Sequence, residues 1–550
     1  MAKRYFKTFL ALLISGGCYA QQYPAFTHAD TLRGKLMPAR LCYQVYFYDL
    51  HLKINPDEKS IAGYNVICFK VMKPFSRMQV DLFKNMSIDS IVHGKHQLKY
   101  NRDSNAVFIK YTSIEQQGKK DSIKFYYHGK PQIAKKPPWD GGFVWDKDSL
   151  GKPWIDVACE GTGASLWWPC KDHLSNKPDS MRMTFDVPTG LMCVSNGRLR
   201  LQKDLNNGYT RFTWFVSVPI INYDVTLNIA DYAHISDCYL NGKDTLTLDY
   251  YVLRYNEQKA RTHFEQVKPM LACYEKFFGK YPFYKDGYKL VETTYWGMEH
   301  QSCVAYGNRY VNNPFGFDFI IIHESGHEWW GNNLSCSDAA DMWLHESFTT
   351  YAEALYIECT QNYKTAIKYL HKEQKRISNK YPVIGPYNVN FQGTTDDDDM
   401  YFKGTWMFQT FRHVINNDSL FFAILHGLQA KFKYSSTNTK EVIAYINKLA
   451  GKDYTPFFNQ YLRRANPPIF EYKLKAQGGA TVLTYRWDSV VKGFNMPIKV
   501  MSDVRDSTYT TITPGTVWKT MIIDKSNPAD FSIDLDEFYV IPEKEDWNNQ

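Results

Sequence analysis

His323-Glu324-Ser325-Gly326-His327 sets two imidazoles four residues apart with a carboxylate beside the first. On a helix, residues four apart share a face. Both rings can then bind one metal ion while Glu324 points toward a water the metal holds. A catalytic zinc takes three protein ligands and keeps a fourth position open, so two histidines leave it one short. Trp343-Leu344-His345-Glu346 supplies the candidate: eighteen residues lie between His327 and Glu346, enough for a helix end, a turn and an antiparallel return. His345 lies about 100° around the helix from Glu346, so the two cannot both face one metal. We read His345 as structural. Zinc lowers the pKa of a water it holds to about 7, and Glu324 is the general base that activates it. Taken alone, the pentapeptide would also suit an ordinary amphipathic helix. The second helix, with its acid, argues for one Zn2+ held by His323, His327 and Glu346.

Those residues need helices to hold them. Phe319 to Ile322 precede the motif, Trp329 and Trp330 follow it, and Gly331 supplies a stop. Helical spacing covers 256–278, 316–330, 339–359, 363–378 and 403–415, and continues through 419–431 and 440–449. Upstream, residues 41–230 read as strands, with β-branched and aromatic runs at 43–48 and 122–127. Asn466-Pro467-Pro468 is a breaker, and strands at 469–475 and 480–487 follow around Gly478-Gly479. The order predicts an α+β multidomain chain: a signal peptide at 1–20, a β domain at 21–231, a mainly helical catalytic domain at 232–465 and a small β module at 466–550. At 550 residues, 44% hydrophobic and 16% aromatic, the chain has material for several cores.

Lys3, Arg4 and Lys7 precede a short apolar run, Phe9 to Ile14, and Cys18-Tyr19-Ala20 offers small residues for cleavage before Gln21. This is a secretory signal, and it predicts a periplasmic or secreted enzyme. A lipid anchor on Cys18 is the second reading. No later run is long enough for a transmembrane helix. The formal charge of +8 falls to +5 without those three cations, too small and scattered for nucleic acid. Ten of the eleven cysteines follow the signal, and none forms a C-x-x-C pair, so cysteine zinc sites are not expected. An oxidising compartment permits disulfides, but their pairing cannot be read.

Four segments carry a resemblance. They are Glu160-Gly161-Thr162-Gly163-Ala164 running into Trp168-Pro169-Cys170-Lys171-Asp172; Trp296-Gly297-Met298-Glu299-His300; the zinc motif extended through Asn332 and on to Asp341-Met342-Trp343-Leu344-His345-Glu346-Ser347-Phe348; and Tyr401-Phe402-Lys403-Gly404. In this order they resemble the aminopeptidase N-like zinc metallopeptidases, gluzincin aminopeptidases that also include leukotriene hydrolase. The resemblance implies a saddle-like β N-domain, a thermolysin-like catalytic domain and a short β-sandwich. It also implies that Glu160, Gly297, Met298 and Glu299 bind substrate, with the two acids on a free α-ammonium, and that Tyr401 donates a hydrogen bond to the tetrahedral oxyanion. His300 stands where the family has Asn, Trp296 where it has Gly, and His345 where it has Asn.

The function implied is zinc-dependent hydrolysis of the N-terminal peptide bond of peptides with a free N-terminus. A leukotriene-hydrolase-like epoxide hydrolase is the alternative, and Glu160 argues against it because that relative has an amide there. A non-catalytic peptide-binding relative is the other alternative, although all four metal and base residues are present. Asp396 to Asp399 could add negative potential for a cationic substrate, but such runs are more often solvated loops.

Overall fold

The computed structural model describes residues 25–391, 397–503, 508–523 and 527–546. The signal, Cys18 and Asp396 lie outside them.

An eight-stranded sheet forms the N-terminal half. Its long strand Tyr43–Asn55 pairs antiparallel with Ser60–Val71 and parallel with Ser180–Pro188. Alternate residues are buried along Tyr209–Val216, the period of a half-covered sheet. Three- and four-stranded sheets complete this half. From Tyr232 a five-stranded sheet begins, with a hairpin of Tyr232–Asn241 and Asp244–Leu253 followed by Tyr288–Glu292, Val304–Tyr306 and the edge strand Gly297–Met298. The helical spacing at 256–278 resolves into Glu257–His263 and Val267–Phe278 around a short 3₁₀ turn.

This sheet is a wall between two cores. Leu290 and Val304, paired across strands, face the helical core, while their neighbours Val291 and Ala305 face the N-terminal core. The period of two does this: successive side chains leave a strand on opposite faces. The edge strand therefore lies where the two halves meet.

The motif helix is shorter than the sequence suggests, running Phe319–Gly326 instead of 316–330. Beyond Gly326 two amides bond three residues back, Glu328 to Ser325 O at 3.2 Å and Trp329 to Gly326 O at 3.1 Å, and Trp330 N shares the Gly326 carbonyl at 3.2 Å. These tighter turns free the Trp330 carbonyl, which meets His327 Nδ1 at 2.9 Å. His327 is thus the helix's C-terminal cap, and it keeps helical dihedrals. Trp343–Thr360 follows, buried without a break from Trp343 to Ile357. Phe402–Ile415 packs on it so closely that a Cβ on Gly404 would lie 1.7 Å from Ser347 Oγ. A disulfide joins Cys273, on Val267–Phe278, to Cys359, near the end of Trp343–Thr360.

The tail forms a four-stranded sheet with Ile469–Gln477 and Ala480–Asp488 at its centre, and a two-stranded ribbon of Ile498–Asp503 and Thr508–Ile512. The fold is mixed α+β: a multi-sheet β half, a helical region and a small β tail. Among the described residues no helix is long and apolar enough to cross a membrane.

Candidate active site

Asp318 starts the motif helix. Its carboxylate accepts from Ile320 N at 3.0 Å and from Tyr306 OH at 2.7 Å, which ties the helix to the sheet. One turn on, His323 Nε2 and His327 Nε2 lie 3.2 Å apart. Glu346 Oε2, from the next long helix, is 3.6 Å from the first and 3.4 Å from the second. It has no hydrogen-bond partner although it is buried. Ligand atoms at the corners of a tetrahedron around zinc stand about 3.3 Å apart, given bonds of about 2.0–2.1 Å. The three distances bracket that edge.

The outward nitrogens of the rings are already engaged. His323 Nδ1 lies 2.7 Å from Glu353 Oε1, and Tyr369 OH donates to the other oxygen of Glu353. His327 Nδ1 has the Trp330 carbonyl at 2.9 Å and Thr349 Oγ1 at 3.1 Å. Donation through Nδ1 leaves each Nε2 lone pair aimed inward, which is how a histidine ligand is held. The site therefore fits zinc. Without a metal, burial opposes charge on all three groups, yet mutual attraction wins: His327 rises to about 9 and Glu346 stays well below the usual carboxylate range. A dication among them would take the place of the imidazole protons.

Glu324 lies beside this set. Burial, partly offset by the two imidazoles, lifts its carboxyl to about 7. Gly297 passes over it so closely that a Cβ there would sit 2.6 Å from Glu324 Oε1. Met298 turns its side chain into the N-terminal core, so only its backbone faces the site. Glu299 accepts from Tyr223 OH at 3.0 Å, and its backbone carbonyl accepts from Asn332 at 2.7 Å. Glu160, Glu299 and Glu346 bring oxygens within 4.8 Å of one another. Burial and then like-charge repulsion raise the Glu160 carboxyl well above its usual range; Glu299 is raised too, mainly by burial. Such a cluster calls for cations.

The Glu160 loop comes from the N-terminal half and is braced. Gly163, at φ +99°, lies so near Asp172 and Arg33 that a side chain would collide with both. Asp172 accepts from Ser165 Oγ at 2.6 Å, while Arg33 and Asn390 both donate to the Gly161 carbonyl. Tyr401 stands just before Phe402–Ile415, with its ring 6.3 Å from that of His323. Lys403 reaches the carbonyls of Arg464 and Ala465, and with Gly404 it fixes where Tyr401 sits.

The structure thus gathers His323, His327, Glu346, Glu324, Glu299, Glu160, Gly297 and Tyr401 in one place. His345 turns away: its Nε2 accepts from Cys336 N at 2.8 Å and its Nδ1 meets Tyr223 OH at 3.3 Å. Asp397 and Asp399 cap backbone and side-chain groups at Ser378 and Asn379, and Asp398 pairs with Arg376. The sequence reading missed Glu353 and Tyr223. Glu353 carried a signal, since it follows Glu346 by seven residues, two turns along the same helix face.

Comparison with known proteins agrees with this geometry. Residues 262–461 match the peptidase family M1 domain. A leucyl aminopeptidase of Saccharolobus solfataricus is 22% identical over 446 residues, 77% of this chain and 54% of that protein. Endoplasmic reticulum aminopeptidase 1 of Mus musculus is 24% identical over 299 residues, 51% of this chain and 31% of that one. The chain therefore spans about half or less of the length of these relatives. A crystal structure of an M1 zinc metallopeptidase variant from Deinococcus radiodurans, bound to a Tyr-Ser-Ala substrate, shares the fold. Its TM-score is 0.65 at 20% identity, and the match covers 78% of this chain and 95% of that one. The M1 domain match over residues 262–461, the aminopeptidase relatives and a His–His–Glu donor set together support an aminopeptidase N-like zinc metallopeptidase family for this chain.

Proposed function

We propose that this protein is a zinc-dependent aminopeptidase that hydrolyses the first bond of peptides with a free N-terminus. The observation that carries the reading is the meeting of Glu160 and Glu299 beside the donor set, within 4.8 Å of each other and of Glu346. Bound by His323, His327 and Glu346, zinc supplies Lewis-acid polarisation of the carbonyl and acidifies the attacking water. Glu160 and Glu299 hold the α-ammonium, so only the first peptide bond reaches the centre. Glu324 takes the proton of the attacking water and delivers it to the leaving nitrogen. Gly297, lacking a side chain, lets the edge strand lie directly against Glu324 and Ile320 of the motif helix. Tyr401 O–H donates to the oxygen on which charge develops; burial and the neighbouring acids raise its pKa well above 10, which keeps the proton on it.

A panel of aminoacyl-arylamides, with and without a chelator, tests the reading. Chelator-sensitive turnover of free-amine substrates supports it, and no turnover of any of them refutes it. We further propose that the chain divides near 231/232 and 465/466. The strands Leu227–Ala230 and Tyr232–Asn241 belong to different sheets, which supports the first boundary. We also propose that the enzyme is exported, with a mature N-terminus at Gln21. Intact-mass measurement would distinguish that form from a diacylated Cys18.

A further inference from the structure

A line of aromatic rings leads outward from the donor set. Phe319 lies one turn before His323 and stacks on its ring at 5.1 Å. Trp296 packs on Phe319 at 5.4 Å, and Trp139, from the N-terminal half, stands 6.3 Å from Trp296. The outer two are open to solvent: Trp296 is 44% exposed and Trp139 72%. Two large exposed rings side by side, at the outer end of a line of rings that starts at the donor set, make an uncommon apolar surface.

Both are held in place. Trp296 Nε1 donates to Asn308 Oδ1 at 2.9 Å, and Asn308 donates to Asp318, the N-cap of the motif helix, at 2.8 Å. The Trp139 loop is closed by Asp140, which accepts from Lys135 N at 2.6 Å. It is tied to the Glu160 loop by Gly141 N donating to Thr162 Oγ1 at 3.1 Å.

Direction follows from the edge strand. Gly297–Met298 pairs on one side only, with Val304–Tyr306, so its other side offers backbone groups to an extended peptide. Glu299 directly follows that strand, at the amine anchor, and Trp296 directly precedes it. At about 3.3 Å per residue, Trp296 lies about 10 Å from Glu299. Along the motif helix the ends separate likewise: Glu299 groups with His327, and Phe319 lies beyond His323. A substrate with its amine at Glu299 therefore runs antiparallel to the edge strand, and its third residue arrives at the tryptophans.

Resting on the aminopeptidase reading, we infer that Trp139 and Trp296 form a subsite for an apolar or aromatic side chain on the third substrate residue, the second after the cut bond. The two halves of the molecule each contribute one ring, so the subsite exists only when they are docked.

The test compares the tripeptides X-Gly-Phe and X-Gly-Gly, with X the residue whose simple amide is cleaved fastest. Partial burial of one phenyl ring should give the unmutated enzyme a kcat/KM about 10-fold higher for X-Gly-Phe. That preference should collapse toward about 1 in Trp139→Ala and in Trp296→Ala, and Trp139→Phe should retain part of it. Val517→Ala, which removes a comparably exposed apolar side chain from the C-terminal region, should keep the full preference. Equal rates for the two tripeptides in the unmutated enzyme would overturn the subsite while X-amide turnover still upheld the aminopeptidase. So would full preference in both Ala variants. Absence of X-amide turnover would overturn both.

Discussion

Acetylating the α-amine of a peptide substrate should lower kcat/KM by about 10³-fold. The perturbation removes one positive charge and leaves half-buried Glu160 beside buried Glu299, their oxygens within 4.8 Å. An ammonium hydrogen-bonded to both carboxylates gains about 1.5–3 kcal/mol from each charge-assisted contact, or about 3–6 kcal/mol together. Part of this is offset. Burial and like-charge repulsion raise both carboxyls, which weakens the negative charge the empty pocket holds. A net of about 4 kcal/mol remains, and at about 1.36 kcal/mol per decade that is about 10³. The assay is chromatographic measurement of products from one peptide in free and acetylated forms. Glu299→Ala should shrink the ratio, because free peptides lose far more rate than acetylated ones. Equal cleavage of both forms by the unmutated enzyme would refute the reasoning about the two acids while leaving a zinc hydrolase in place.

Other outcomes test other parts of the site. Glu346→Ala should lose most bound zinc and activity, while Glu324→Gln should keep zinc by elemental analysis and lose kcat by roughly three orders of magnitude or more. Metal loss in the second variant would mean that ligand and base are misassigned. Tyr401→Phe should lower kcat by about 10²–10³-fold with KM little changed; an unchanged kcat would make Tyr401 structural. Asp156 is fully buried, its carboxyl pushed up to about 7 chiefly by burial, and it accepts from Thr294 N at 2.9 Å. Between its unfolded pKa of about 3.9 and that folded value, only the folded state holds the proton, so stability falls as pH rises. Asp156→Asn keeps the acceptor without the charge. Its stability advantage should grow from near zero at acid pH to about 2–4 kcal/mol by pH 8, read from urea melts. An advantage independent of pH would contradict that account.

The helices that carry chemistry were legible because their apolar spacing and donor residues coincide, as at His323, His327 and Glu346. Tyr401-Phe402-Lys403-Gly404 was legible only through family likeness. Its logic is tertiary: Lys403 bonds to carbonyls some sixty residues away, and Gly404 lets two helices touch. The early end of the motif helix was not legible either. Gly331 signals a stop, but the helix ends sooner, at turns that free the Trp330 carbonyl for His327. The sheet wall at 288–306 was overlooked because its strands are short and buried on both faces, which removes the alternation a strand normally shows. Most cysteines proved to be buried thiols. Only Cys273 and Cys359 pair among the described residues, on helices whose approach no local pattern reveals.

That pairing draws a covalent boundary through the centre. The bond closes a ring across a sequence separation of 86 residues, and Glu299, His323, Glu324, His327 and Glu346 all lie inside it. Glu160 and Tyr401 lie outside and are brought in by packing alone. A loop of that length, tied in the unfolded chain, is worth about 4–5 kcal/mol in the chain-entropy picture. Partial unfolding that parts the two halves would spare the ring. Damage should therefore come in stages, with an aged or heated sample still carrying its metal after it has lost the ability to count from the amino end.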